Sequence, residues 1–184
     1  MTEDDSLNET VAYLKSLQPG KLPQDVFLQF ARLMVVPVIE LVPLRLNSEG
    51  KAEVLLVQRP EGDTWDGQWH VPGTVIRVTD KMDTGYDYED ALSRVLGPGS
   101  ELGDITYVGK PKEVETERRR VLRGDELAVI HYVEITGESI NGRFFPLDGF
   151  PENVPPNGIV PHHVDFVRRA AERFLADKAK TVVR

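Results

Sequence analysis

Two β-rich runs, VVPVIELVPLRL and AEVLLVQR, stand on either side of Asn47-Ser48-Glu49-Gly50. Turn-forming residues between two runs of aliphatic and β-branched side chains select a hairpin. That hairpin is the strongest constraint on the chain, because it commits the centre of the molecule to a sheet. Further strands follow it. WHVPGTVIRV reads as a strand interrupted by a Pro-Gly turn. DITYVGKPKEV and ELAVIHYVEI read as another strand pair, joined by the charged segment ETERRRVLRGD as a loop or hairpin tip.

Helical spacing flanks and divides these strands. Leu7, Val11, Leu14 and Leu17 recur with a helical period after Asp4 and Asp5, and Pro19-Gly20 ends the segment. A second helix is expected from about Pro23, with Val26, Phe27, Phe30 and Leu33 on one face. Such a pair needs a surface to cover, either the main domain or another subunit in a homodimer. YEDALSRVL has a short helical pattern that stops at Gly97-Pro98-Gly99. The C-terminal segment HHVDFVRRAAERFLADKAK places Val164, Val167, Ala171 and Phe174 on one helical face. The order is two helices, several strands, a helix, more strands and a last helix. It predicts an α+β domain with a mixed sheet covered by helices, residues 34–184, preceded by a helical extension, residues 1–33.

Several function classes drop out on composition. The chain of 184 residues contains no cysteine, so disulfides, thiolate zinc sites and cysteine nucleophiles are excluded. The N-terminal MTEDDSLNET is acidic and does not resemble a signal peptide. The longest apolar stretch, from Leu33 to Leu46, is broken by Pro37, Glu40, Pro43 and Arg45, so no membrane span is expected. The expected compartment is the cytoplasm. A net charge of −8 disfavours general binding to nucleic acid or to an anionic membrane. No nucleophile elbow, phosphate-binding loop or dinucleotide-binding glycine pattern is present.

Local motifs in this order carry a resemblance. A strand ends in Arg59, a loop carries Trp65, and Trp69-His70-Val71-Pro72-Gly73 follows. FFPLDGFPENVPP precedes the last helix. From about Val35 to Leu175 the chain resembles the Nudix hydrolase family, whose fold is an α/β/α sandwich around a mixed sheet. The front portion is similar to the GDP-mannose mannosyl hydrolase branch, in which an N-terminal helix leads into a long first strand. The family's catalytic pattern, G-x5-E-x7-R-E-U-x-E-E-x-G-U with U aliphatic, gathers carboxylates that hold Mg²⁺ against a diphosphate. Hard oxygen ligands are what magnesium requires.

Placed on that pattern, Gly73 takes the first glycine and Arg94 the helical arginine, with Ala91 three residues before it. They lie 21 residues apart rather than the pattern's 14, so seven residues are inserted. Tyr86, Val95, Pro98 and Gly99 then stand at the four acidic positions. The alternative register, with Glu89-Asp90 as the paired carboxylates, forfeits Ala91 and Arg94. The resemblance therefore implies the scaffold and a ligand cleft without the ordinary magnesium site. Magnesium would be a cofactor only for an atypical hydrolase, with Asp87, Glu89 and Asp90 as ligands and His70, Glu89 or Asp90 moving the proton. Acids near a helix start otherwise favour its positive end.

Arg59, Trp65, Trp69, Gly73 and Arg94 are the ligand-binding candidates the resemblance supplies. A guanidinium matches phosphate oxygens in bidentate fashion, and an indole covers a flat base. The bland readings are a solvated strand-end arginine and core or rim tryptophans. Arg118, Arg119, Arg120 and Arg123 form a basic cluster, read as a charged tip or as an anion site. His131 alternates along its strand and could face either way. His162-His163 reads as a cap or packing feature, since helical metal partners sit three or four apart. Three functions stay open: a binding module for a nucleotide or nucleotide-sugar, an atypical hydrolase of a nucleoside diphosphate linked to another group, and a non-catalytic interaction protein.

Overall fold

The structure is a computed structural model that describes residues 3–18, 21–61, 65–77, 94–95, 102–109, 112–114, 125–135, 142–155 and 158–182. Two helices, α1 (Glu3–Ser16) and α2 (Gln24–Leu33), lead into the sheet. Its strands are β1 (Val36–Leu46), β2 (Ala52–Gln58), β3 (Trp69–His70), β4 (Gly73–Val75), β5 (Leu102–Tyr107), β6 (Lys112–Val114), β7 (Glu126–Ile135) and β8 (Arg143–Pro146). The last helix is α3 (Pro161–Val182).

The hairpin around Asn47 forms with Leu44 opposite Val54. Asn47 closes the turn with its side chain, since its Oδ1 accepts from the N–H groups of Glu49 and Lys51. Gly50 takes φ +75°, a left-handed value that glycine adopts without a Cβ penalty. The sheet is mixed. β1 and β7 run parallel over nine registered pairs, from Val36–Glu126 to Leu44–Glu134, and the other pairings between the named strands are antiparallel. The order runs β3-β2-β1-β7-β5, with β4 on β1, β6 on β7 and β8 on β2.

A proline in a central strand normally removes a needed donor. Pro43 stands between Glu40, registered to β4, and Leu44, registered to β2. The donor it lacks falls at the break between these two partners of β1. The strand β8, which ends in the first residues of the segment FFPLDGF, was not expected from the sequence. Only four residues long, it shows too little alternation to announce itself and exists because β2 offers it an edge.

Alternation along the strands builds two cores. On one face Val36, Val38, Val42, Leu44, Ala128, Ile130 and Tyr132 pack with Phe166, Val167, Ala170 and Phe174 of α3. On the other, Ile39, Leu41, Leu55, Val133 and Ile135 pack with Val95, one of two described helical residues at 94–95. The result is an α/β/α arrangement with a helical extension at the N-terminus.

The buried stripe of α3 is His163, Phe166, Val167, Ala170, Ala171 and Phe174. Of the face expected from periodicity, Val167, Ala171 and Phe174 are buried and Val164 is half-buried. The larger ring of Phe166 and the small Ala170 set the rotation that lets the helix approach the sheet. At the far end, Lys178 pairs with Glu134 at 2.6 Å, and the Tyr132 hydroxyl donates to Asp177 at 3.0 Å. Hydrogen bonds from Lys180, then Arg173 and Tyr132, pull the Asp177 carboxyl down to about 2.

The extension meets the main core through α2. Ala31 is fully buried and Phe27 packs against the first cluster, while Phe30 is exposed and Leu33 is 72% exposed. The face that seats is therefore Phe27–Ala31, an i, i+4 pair, and not the stripe through Phe30 and Leu33. No described helix is long and apolar enough to cross a membrane.

Candidate functional site

Backbone stitching brings the start of α3 against β3. The Trp69 N–H donates to the Gly158 carbonyl at 3.0 Å, and the Val160 N–H donates back to the Trp69 carbonyl at 2.9 Å. The helix begins one residue later, at Pro161. This delivers His162 and His163 beside His70. The rings of His162 and His163 are 4.4 Å apart, and those of His70 and His163 are 5.9 Å apart.

Val71 lies between them. Its N–H donates to His163 Nδ1 at 3.1 Å, and its carbonyl is 2.7 Å from His70 Nδ1. A carbonyl can only accept, so His70 carries its proton on Nδ1 in that bond. His163 Nδ1 is itself the acceptor, so His163 carries its proton on Nε2. Both backbone polar groups of Val71 are thus held by imidazoles of fixed tautomer.

The preceding loop brings the next groups. Arg59 and Gln68 close it, with the Arg59 N–H donating to the Gln68 carbonyl at 2.9 Å. Inside it Trp65 takes φ +69°, a left-handed value that costs a non-glycine residue about 1–2 kcal/mol. The conformation turns the indole toward α3, where it meets His162 edge-on with ring centroids 6.4 Å apart. Arg59 is half-buried and its positive charge reaches His163. Burial, first, then His162, His70 and Arg59 push the His163 imidazole well below its ordinary value of 6.5.

Glu40 completes the floor. It occupies an inward position of β1 and is 6% exposed, and its Oε2 lies 3.9 Å from His163 Nδ1. That separation is too long for a hydrogen bond. Glu40 is registered opposite Gly73, and its carboxylate folds over it. A Cβ on Gly73 would lie 2.5 Å from Glu40 Oε2 and 2.8 Å from Oε1. The requirement for glycine at 73 is therefore the carboxylate of Glu40. Gly73→Ala is expected to cost about 1–3 kcal/mol, the range for overpacking. Denaturant unfolding of the single and double variants should show Glu40→Ala relieving much of that loss. Simple additivity of the two effects would refute the contact.

The remaining candidates divide. Trp69 turns its ring edge to Phe145 at 5.0 Å and packs on the first core. Arg94 is exposed and donates to the Val75 carbonyl at 3.4 Å, next to β4. His131 is buried on the opposite face, beside Tyr107 and registered to Leu41. Burial, partly offset by a bond to the Val129 backbone, lowers its pKa. Asp87, Glu89, Asp90, Tyr86, Pro98 and Gly99 lie outside the described residues, as do Arg118, Arg119, Arg120 and Arg123. His163 and Glu40 were not singled out from sequence as site residues. A lone glutamate at an inward position of an apolar strand was the available signal for one. A histidine four residues before Val167 on the helix face was the signal for the other.

Of the four positions at which the family pattern places its carboxylates, only Val95 lies among the described residues, and its side chain offers magnesium no oxygen. Val95, which stands where a carboxylate follows the arginine, packs in the second apolar core. Among the described residues no three His, Asp or Glu side chains are grouped to hold a metal.

Buried neutral histidines make stability depend on pH with a definite sign. Between its lowered folded value and 6.5, His163 binds fewer protons folded than unfolded. Stability is therefore expected to fall as pH drops through that window, and His131 adds in the same direction. Calorimetric melting temperatures that stay flat or rise from neutral pH into that window would contradict this.

No family model matches the sequence, and no curated protein does. Solved structures do. The Nudix domain of Shewanella oneidensis NrtR, complexed with ADP ribose, is 18% identical over 95% of this chain and 99% of that one, with a TM-score of 0.52. A MutT/nudix family protein from Enterococcus faecalis is 14% identical over 96% of this chain and 75% of that one, with a TM-score of 0.53. The fold is a Nudix fold. A second NrtR structure is 18% identical over 76% of this chain and 63% of that one, at a TM-score of 0.55. The Nudix fold places Gly73 and the loop bearing Arg59 and Trp65 on a scaffold that hosts several activities, so function rests on the site itself.

Proposed function

We propose that this chain is a Nudix-fold binding protein for a nucleotide or nucleotide-sugar, without ordinary magnesium-dependent Nudix hydrolysis. The observation that carries the reading is the gathering of Arg59, His70 and His162 around His163, with Trp65 edge-on against His162. A guanidinium and ionisable imidazoles suit phosphate oxygens, and an indole beside them suits a base or sugar. The similar NrtR domain was solved complexed with ADP ribose, a ligand of this class. Val95 in an apolar core, at a position where the pattern has a carboxylate, supports metal-free binding.

The test is a thermal-shift screen with ADP-ribose, GDP-mannose and dinucleotides, each with and without Mg²⁺ or Mn²⁺. The expected result is stabilisation by a diphosphate ligand that does not depend on metal. Binding at a hundred times Kd adds about 2.7 kcal/mol. Metal-dependent stabilisation with product formation would replace this reading with an atypical hydrolase. No response to any ligand would favour a protein-interaction role.

A further inference from the structure

His163 Nδ1 has two neighbours that require opposite protonation states. The Val71 N–H at 3.1 Å needs a lone pair on that nitrogen. Glu40 Oε2, at 3.9 Å, can as a carboxylate oxygen bond to it only if the nitrogen carries a proton. We propose that His163 is a positioning residue for the Val71-Pro72-Gly73 turn, and that proton uptake exchanges its Val71 bond for one to Glu40.

The step balances simply. A proton from solvent adds to the Nδ1 lone pair, and the imidazolium carries N–H at both ring nitrogens. Two donors now face each other, and the Val71 N–H loses its acceptor. The ring and the carboxylate then turn so that the new Nδ1–H meets Glu40 Oε2 at a charge-assisted distance of about 2.8 Å. Both movements act on one turn. Val71 is released, and the carboxylate that lay over Gly73 shifts toward the helix. The Pro72 carbonyl, which accepts from the Leu41 N–H at 2.9 Å, anchors the middle of the turn to β1.

The charged and titratable groups facing His163 come from each element around it. They are Glu40 of β1, Arg59 after β2, His70 of β3 and His162 of its own helix. Glu40 favours the protonated form, and the other three oppose it. Burial opposes it too, so the exchange belongs to the acid side of neutrality. The effect on ligand rests on the proposed binding function, because Gly73 and the Arg59 loop would line that cleft. The exchange itself does not.

The experiment is nuclear magnetic resonance of the full chain from about pH 8 to about pH 5, the range in which histidines switch. It follows the His163 ring nitrogens, the Val71 amide shift and Val71 hydrogen exchange. His163 Nδ1 and the Val71 amide are expected to titrate together, with Val71 protection falling about tenfold or more at the acid end. In His163→Gln the amide titration is expected to vanish, since a Gln oxygen accepts from Val71 at any pH. In Glu40→Gln the midpoint is expected to move to lower pH, which keeps a test available if His163→Gln fails to fold. The proposal is overturned if His163 stays neutral until the chain unfolds. It is also overturned if Val71 ignores protonation of His163, or if Glu40→Gln leaves the midpoint unchanged. With ADP-ribose as probe, affinity should change with the same midpoint. Absence of ADP-ribose binding at every pH counts against the ligand reading, while the Val71 titration still decides the exchange.

Discussion

Phe166→Ala is expected to lower the unfolding free energy by about 3–5 kcal/mol, the usual cost of truncating a buried phenylalanine. Phe166 is fully buried between α3 and the sheet. Its ring also supports the candidate site, lying 5.7 Å from the His162 ring and 5.1 Å from that of His163. Two losses therefore coincide in one variant. The first core loses a large side chain, and both imidazoles lose a wall that holds their orientation. Domains of this kind have only about 5–15 kcal/mol in hand, so the variant should be marginal at 37 °C. Urea unfolding measures it. A loss below about 1 kcal/mol would mean that α3 does not seat on the sheet through this residue. Phe166→Leu, which fills most of the volume, should lose much less than the alanine variant.

Arg59→Ala is expected to weaken binding of a diphosphate ligand by about 1.5–3 kcal/mol, the range for a hydrogen bond to a charged group. That is about a ten- to hundredfold rise in Kd. Arg59 follows β2, and its N–H is fixed to Gln68 across the loop that carries Trp65. The guanidinium is thus presented from a restrained backbone, which limits the entropy lost on binding. Arg59→Lys should recover only part of the loss, because an ammonium cannot match two phosphate oxygens as a planar fork does. Binding should weaken as salt rises, to the extent that exposed cations contribute. Calorimetric titration with ADP-ribose, alongside circular dichroism to verify the fold, decides the matter. An unchanged Kd in a folded variant would remove Arg59 from the site and with it the main support for a diphosphate cleft.

The strands and their turns were legible because their determinants are local. Asn47 and Gly50 specify a turn from within four residues, and alternation in β1 and β7 assigns each side chain to a face. The Pro72-Gly73 break between β3 and β4 is of the same kind. The rotation of α3 was less legible. Val164 and Phe166 are both apolar, and only the shape of the facing sheet selects which one is buried. The same holds for α2, where the small Ala31 rather than the large Leu33 allows close approach to the core.

The amino-acid order by itself determined a hairpin-centred sheet between amphipathic helices, and a glycine and an arginine at places that match a Nudix pattern short of its carboxylates. Tertiary structure alone decided what those residues meet. Val71 and its acceptor His163 are 92 residues apart. No periodicity in β1 or α3 announces that a glutamate of one and a histidine of the other share the floor beneath Gly73. A pattern of apolar side chains encodes which face is buried, because burial scales with area and has no direction. A hydrogen bond has direction and a partner, and that partner is chosen only when the strand, the loop and the helix end are stacked.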